Sequence, residues 1–163
     1  MEIKDVVRSQ YRAALEMLKQ AIAKCPASLW DDPADATRFW HIAYHALFYT
    51  HLYLQDSRDA FRPWVKHKEK YESLDAFHGS PEQVESFSQA DLLEYLELCQ
   101  QQVEAGLDPF NAEAASGFFW LPCSKLELQF YNIRHLQQHI GELMERLGTR
   151  AHVEVGWVGM KPD

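Results

Sequence analysis

Apolar residues recur along this chain at helical intervals. Between about Lys4 and Lys24, Val7, Ala14, Leu15, Leu18, Ala21 and Ile22 fall three or four residues apart, with Lys19 and Lys24 toward the C-terminal end of the dipole and Pro26 as the stop. A short connection, Ala27 to Asp35, precedes a second apolar stretch from about Ala36 to Gln55. At 100° per residue that stretch is apolar on two sides: Trp40, Ala43, Leu47 and Leu54 on one, His41, His45, Phe48 and Leu52 on the other. A helix apolar on two sides belongs inside a bundle.

From Asp56 to Phe87 the periodicity fades into a charged, aromatic-studded connection with Pro63, Gly79 and Pro81, long enough for a short helix over one end of the fold. Ser88, with Asp91 three residues on, is placed to cap a third helix through Leu92, Leu93, Leu96, Cys99 and Val103 that stops before Gly106. After a loop over Leu107 to Cys123, Ser124 and Glu127 form a capping-box pattern for a fourth helix, which runs to about Leu147 with Gly148 at C′. Its principal apolar stripe reads Leu126, Phe130, Ile133, Ile140, Met144 and Leu147. From Arg150 onward, Val153, Val155 and Trp157 alternate, which predicts a short extended segment and no sheet. The pattern predicts an all-α fold: a four-helix bundle with a long crossover between helices two and three and a short extended C-terminal tail.

Length and composition narrow the picture. At 163 residues, 47% of them apolar, the chain is one domain (1–163, core about 4–147) with enough apolar surface to fold on one core. The net charge of −8 and the lack of a Lys/Arg stripe exclude nucleic acid as the expected partner. No apolar h-region opens the chain and no run of about 18 apolar residues interrupts it, so no membrane span is expected and the reading is cytoplasmic. Cys25, Cys99 and Cys123 are odd in number and far apart, which fits buried thiols better than a disulfide framework or a thiolate zinc site. Cys123, just ahead of a helix start, is where the dipole would favour a thiolate.

The candidate chemistry lies in histidines. His135 and His139 are four apart, one turn above each other on the fourth helix, so two imidazoles can chelate one ion. Their face lies away from the principal stripe yet carries Leu128 and Tyr131, so packing on two sides of this helix is expected. A metal such as zinc wants a third protein ligand. His45, on an inner face of the second helix, is the candidate, with His41 one turn earlier as the competing choice. Taken singly, each histidine reads as a partly buried imidazole satisfied by backbone or water. The pair together with a histidine on a second helix shifts the balance to a metal site.

Two stretches, Phe39-Trp40-His41-Ile42-Ala43-Tyr44-His45-Ala46-Leu47-Phe48 and Arg134-His135-Leu136-Gln137-Gln138-His139-Ile140-Gly141-Glu142, resemble the DinB-like superfamily. That resemblance, over roughly residues 4–147, implies a four-helix bundle with a metal held by one histidine of the second helix and a His-x3-His pair of the last. Here these are His45, His135 and His139, with a divalent ion, zinc or nickel first and iron after them. It also implies a homodimer and a small-molecule substrate, with hydrolysis or thiol transfer as the reaction classes. The alternative is a non-catalytic, dimeric helical protein whose histidines are structural or bind metal incidentally.

No nucleophile triad, phosphate-binding glycine loop or spaced carboxylate pair competes. Glu142 and Tyr131, one turn beyond His139 and before His135, are in position to assist as hydrogen-bond partners or proton carriers, but the plainer reading for both, and for Asn132 and Gln138, is a surface helix residue. Trp40, Trp64, Trp120, Trp157, Phe118 and Phe119 read as packing surface. An enzyme would need a cavity beside the ion, expected from loop residues such as Trp64, Trp120 and Phe119.

Overall fold

The computed structural model describes residues 2–77, 84–108 and 110–160, and the described residues are helical without a strand. The helices are α1 (Ile3–Lys24), the single-turn α2 (Ala27–Trp30), α3 (Phe39–Tyr53), α4 (Gln89–Gly106) and α5 (Lys125–Arg146). A 3-10 turn at Leu74–Phe77 lies in the connection from α3 to α4, and a π-helical turn, Leu147–Ala151, follows α5. Gly79 and Pro81 lie outside the described residues.

The capping chemistry is as the sequence suggests at α4, where Ser88 and Asp91 bond each other's backbone reciprocally. At α5 only half of the box forms: Ser124 accepts from the Glu127 amide. The connection before α3 holds the extra turn α2, and Arg38 ties it by donating to the Asp32 and Asp35 carbonyls. After α5 the expected glycine cap is absent. Gly148 sits within the π turn, and the left-handed position falls on His152 at φ 54°. The tail that follows carries no strand among the described residues.

The four long helices share one core. α3 packs against α5 and α4, and α1 against α4 and α5. α3 is buried almost throughout, because its two apolar sides meet neighbours on both. Trp40, Tyr44, Tyr95 and Leu96 fill the centre, and Trp64 stacks flat on Tyr95 with ring centroids 4.6 Å apart. Cys25 and Cys99 are buried thiols, and burial pushes the Cys25 thiol up to about 12. Cys123 departs from expectation: burial and the nearby Glu127 push its thiol up, against the dipole.

The face of α5 that turns inward differs from the predicted stripe. Leu128, Gln129, Asn132, Leu136, His139, Ile140 and Leu143 are buried, while Phe130 and Tyr131 face outward and Leu126, Ile133 and Met144 are only partly covered. Asn132, read as a surface residue, is fully buried and donates to the Thr50 carbonyl at 3.1 Å. Gln129 beside it accepts from the Tyr11 hydroxyl at 2.8 Å and donates to the Tyr53 carbonyl at 3.3 Å. Gln129 meets partners on both α1 and α3 and Asn132 is satisfied at its Nδ2, though its Oδ1 is buried without a partner among the described residues, while exposed apolar rings are tolerated, so hydrophobicity alone misplaced the stripe. The rotation brings the His135–His139 edge toward α3.

Candidate metal centre

His45 on α3 and His135 and His139 on α5 converge where these two helices pack. Nε2 of His135 lies 3.1 Å from Nε2 of His45 and 3.1 Å from Nε2 of His139. One ligand atom from each of the three falls within 4.8 Å of the others. Tetrahedral zinc with bonds of about 2.0–2.1 Å spaces its ligand nitrogens about 3.3–3.4 Å apart. Three adjacent positions of an octahedral ion with bonds of about 2.1–2.2 Å space them about 3.0–3.1 Å apart. The two 3.1 Å spacings match the octahedral value and fall slightly short of the tetrahedral one, so the donor set is compatible with a divalent transition metal without choosing which.

The outward ring nitrogens set the tautomers. His45 Nδ1 donates to the Glu72 carbonyl at 2.6 Å, and a carbonyl only accepts, so neutral His45 turns the lone pair of Nε2 inward. His139 Nδ1 is bonded in the same manner to the Glu142 carboxylate at 3.0 Å. His135 Nδ1 is buried without a partner among the described residues. In a metal-free triad His135 can place its single proton on Nε2, toward the two inward lone pairs. An ion at Nε2 would move that proton to Nδ1.

Burial disfavours the charged form of His45 and His135. It lowers His45 to about 3, with the Glu72 carbonyl opposing and the neighbouring imidazoles adding to the shift. It lowers His135 to about 4, assisted by His139 and opposed by Glu142. Neutral imidazoles are the form a metal binds. His41, the competing third ligand, is elsewhere: its Nε2 donates to the Tyr71 carbonyl at 2.8 Å, pinning the connection between α3 and α4 to α3.

A cavity of about 440 Å³ opens beside the triad, walled by His45, His135 and the side chains of Phe48, Tyr49, Leu52, Tyr53, Arg58, Glu72, Trp120 and Tyr131. Of the three loop aromatics expected there, Trp120 takes its place, with Nε1 donating to the Tyr53 hydroxyl at 3.3 Å. Trp64 is instead core, and Phe119 is 91% exposed and outside the wall. The Trp120 loop is held by Gly117, whose φ of +87° and close approach to the Asp56 carbonyl admit no side chain. Tyr131 and Glu142 lie at the surface as the plainer reading had them, yet Tyr131 lines the cavity and Glu142 holds His139.

Sequence reasoning missed Arg58 and Glu72. Glu72 serves twice: its carbonyl holds His45, and the residue is part of the cavity wall, its carboxylate Oε2 being buried and without a partner among the described residues. Neither residue lies on a periodic element, so no spacing signal marked them. Comparison of the chain with protein-family models, with curated proteins and with solved structures returned no match. No described helix is long and apolar enough to cross a membrane.

Proposed function

We propose that this chain is a DinB-like four-helix bundle that holds one divalent metal ion on His45, His135 and His139 and acts on a small molecule by hydrolysis or thiol transfer. The observation that carries the reading is the convergence of three Nε2 atoms beside an open, aromatic-walled cavity. The pairing of α1, α3, α4 and α5 supports the bundle, and the length of chain between α3 and α4 supports the long crossover. Exposed Phe119, Phe130 and Tyr131 support a homodimer that covers them.

A bound ion would supply Lewis acidity that lowers the pKa of a coordinated water or thiol. The chain's own groups do the rest. The Glu72 carbonyl and Glu142 carboxylate orient two of the imidazoles. Glu72 also contributes to the cavity wall beside His45. Tyr49, Tyr53 and Trp120 offer aromatic surface to a substrate.

Elemental analysis of the purified protein tests this, with wild type set against a His135→Ala/His139→Ala variant. About one ion per chain, lost in a folded variant, is expected for three-ligand binding. A wild-type protein that is metal-free and takes up neither zinc nor nickel would sink the reading.

A further inference from the structure

Resting on the metal centre proposed above, we infer that the cavity beside His45 and His135 binds a flat organic monocarboxylate, with Arg58 as its anchor. Arg58 is the only Lys or Arg among the residues that line this cavity. Its guanidinium carbon stands 5.5 Å from the centre of the Phe61 ring, a contact that holds the arginine without using its hydrogen-bond donors. The side chain is exposed, and its fork presents paired N–H donors that match a carboxylate.

The wall between Arg58 and the histidines is aromatic. Tyr49, Tyr53 and Trp120 present rings there, and Tyr49 itself sits edge-on to the His135 ring with centroids 5.4 Å apart. A planar ligand body fits such a slot by offset or edge stacking. The charges around Tyr49 follow the same layout. Burial raises its phenol, Glu72 raises it further, and Arg58 opposes, so the carboxylate and the guanidinium both act on this part of the cavity.

Charge balance selects the ligand's sign and its size. With a divalent ion at the triad, that ion and Arg58 outweigh the one carboxylate of Glu72, so the cavity complements an anion. One guanidinium, with the Glu72 residue in the same cavity wall, suits a single negative charge better than a phosphate dianion, which takes several donors. At about 440 Å³ the cavity has room for a two-ring acid. The layout puts the carboxylate at Arg58 and the far end of the molecule at the histidines.

The test is calorimetric titration of the zinc-loaded protein with 2-naphthoate and its uncharged counterpart 2-naphthamide, repeated with Arg58→Gln and after zinc removal. A charge-assisted bidentate contact is worth about tenfold or more in affinity. The expected result is therefore a naphthoate preference of at least about tenfold that shrinks to under about threefold in Arg58→Gln, with zinc content and naphthamide binding unchanged. Equal binding of the two probes, binding of neither, or a preference that survives Arg58→Gln would overturn the inference. A preference that survives Arg58→Gln and vanishes on zinc removal means that the carboxylate sits on the ion, which overturns Arg58 as anchor and leaves the metal centre standing. A protein that takes up no zinc but shows the Arg58-dependent preference supports the anchor while the metal centre falls.

Discussion

Metal affinity in this protein should depend weakly on pH between 7 and 5. Protons compete with a metal for each imidazole. A free histidine with a pKa of about 6.5 is mostly neutral at pH 7 and about 3% neutral at pH 5, so each exposed ligand weakens binding about 25-fold over that range. Three such ligands together lose about 10⁴-fold. Burial depresses His45 to about 3 and His135 to about 4, so both remain neutral at pH 5 and together surrender about a tenth of the affinity. Those two ligands then add almost nothing to the pH dependence, and the site falls well short of the loss that three free imidazoles would give. The assay is zinc titration against a chromophoric chelator at pH 7 and pH 5 in non-coordinating buffers, with circular dichroism to verify that the protein is folded at both. A loss beyond about 10³-fold in folded protein would show that the imidazoles are not held neutral, and the argument from burial would fail.

The same burial should make the metal-free fold sensitive to acid. His51 is buried and lowered to about 4, while the unfolded chain protonates near 6.5, so stability present at pH 7 is lost as pH falls from about 6.5 toward the folded value. By pH 5 His51 alone accounts for about 2 kcal/mol, with His45 and His135 acting in the same direction, and urea melts of the metal-free protein at pH 7 and 5 measure it. Gln129→Leu removes the acceptor of the buried Tyr11 hydroxyl and the donor to the Tyr53 carbonyl and should cost about 1–3 kcal/mol in urea unfolding, part of which returns on adding Tyr11→Phe. Gly117→Ala drives a methyl into the Asp56 carbonyl oxygen at a left-handed backbone position. It should cost at least about 2 kcal/mol in thermal unfolding and shift the Trp120 fluorescence as its loop moves. An unchanged melting curve would mean that the loop does not depend on Gly117.

Much of this protein is legible along the chain because helices are local. The periodic apolar positions of α1, α3, α4 and α5, the Ser88–Asp91 box and the Pro26 stop depend on neighbours within one or two turns, and such features are written in consecutive residues. The pair His135 and His139 is local too, fixed by 3.6 residues per turn. His45 needed more, since its approach to His135 depends on how α3 and α5 pack, and that depends on which face of α5 turns inward. Apolar content pointed to Leu126, Phe130 and Ile133, but the fold buries Gln129 and Asn132 because the Tyr11 hydroxyl and the Thr50 and Tyr53 carbonyls lie in reach across the interface. Partners of that kind have no signature in one helix's sequence. The cavity shows the same division: its histidine end follows from the helices, whereas Arg58, Glu72 and Trp120 arrive from aperiodic segments that only the packed core positions. Sequence alone determined the helices and two of the three converging histidines, because those follow from covalent spacing. Tertiary structure decided the third, the tautomers and the shape of the cavity, because these arise from groups distant in the chain that meet only when the apolar faces are buried together.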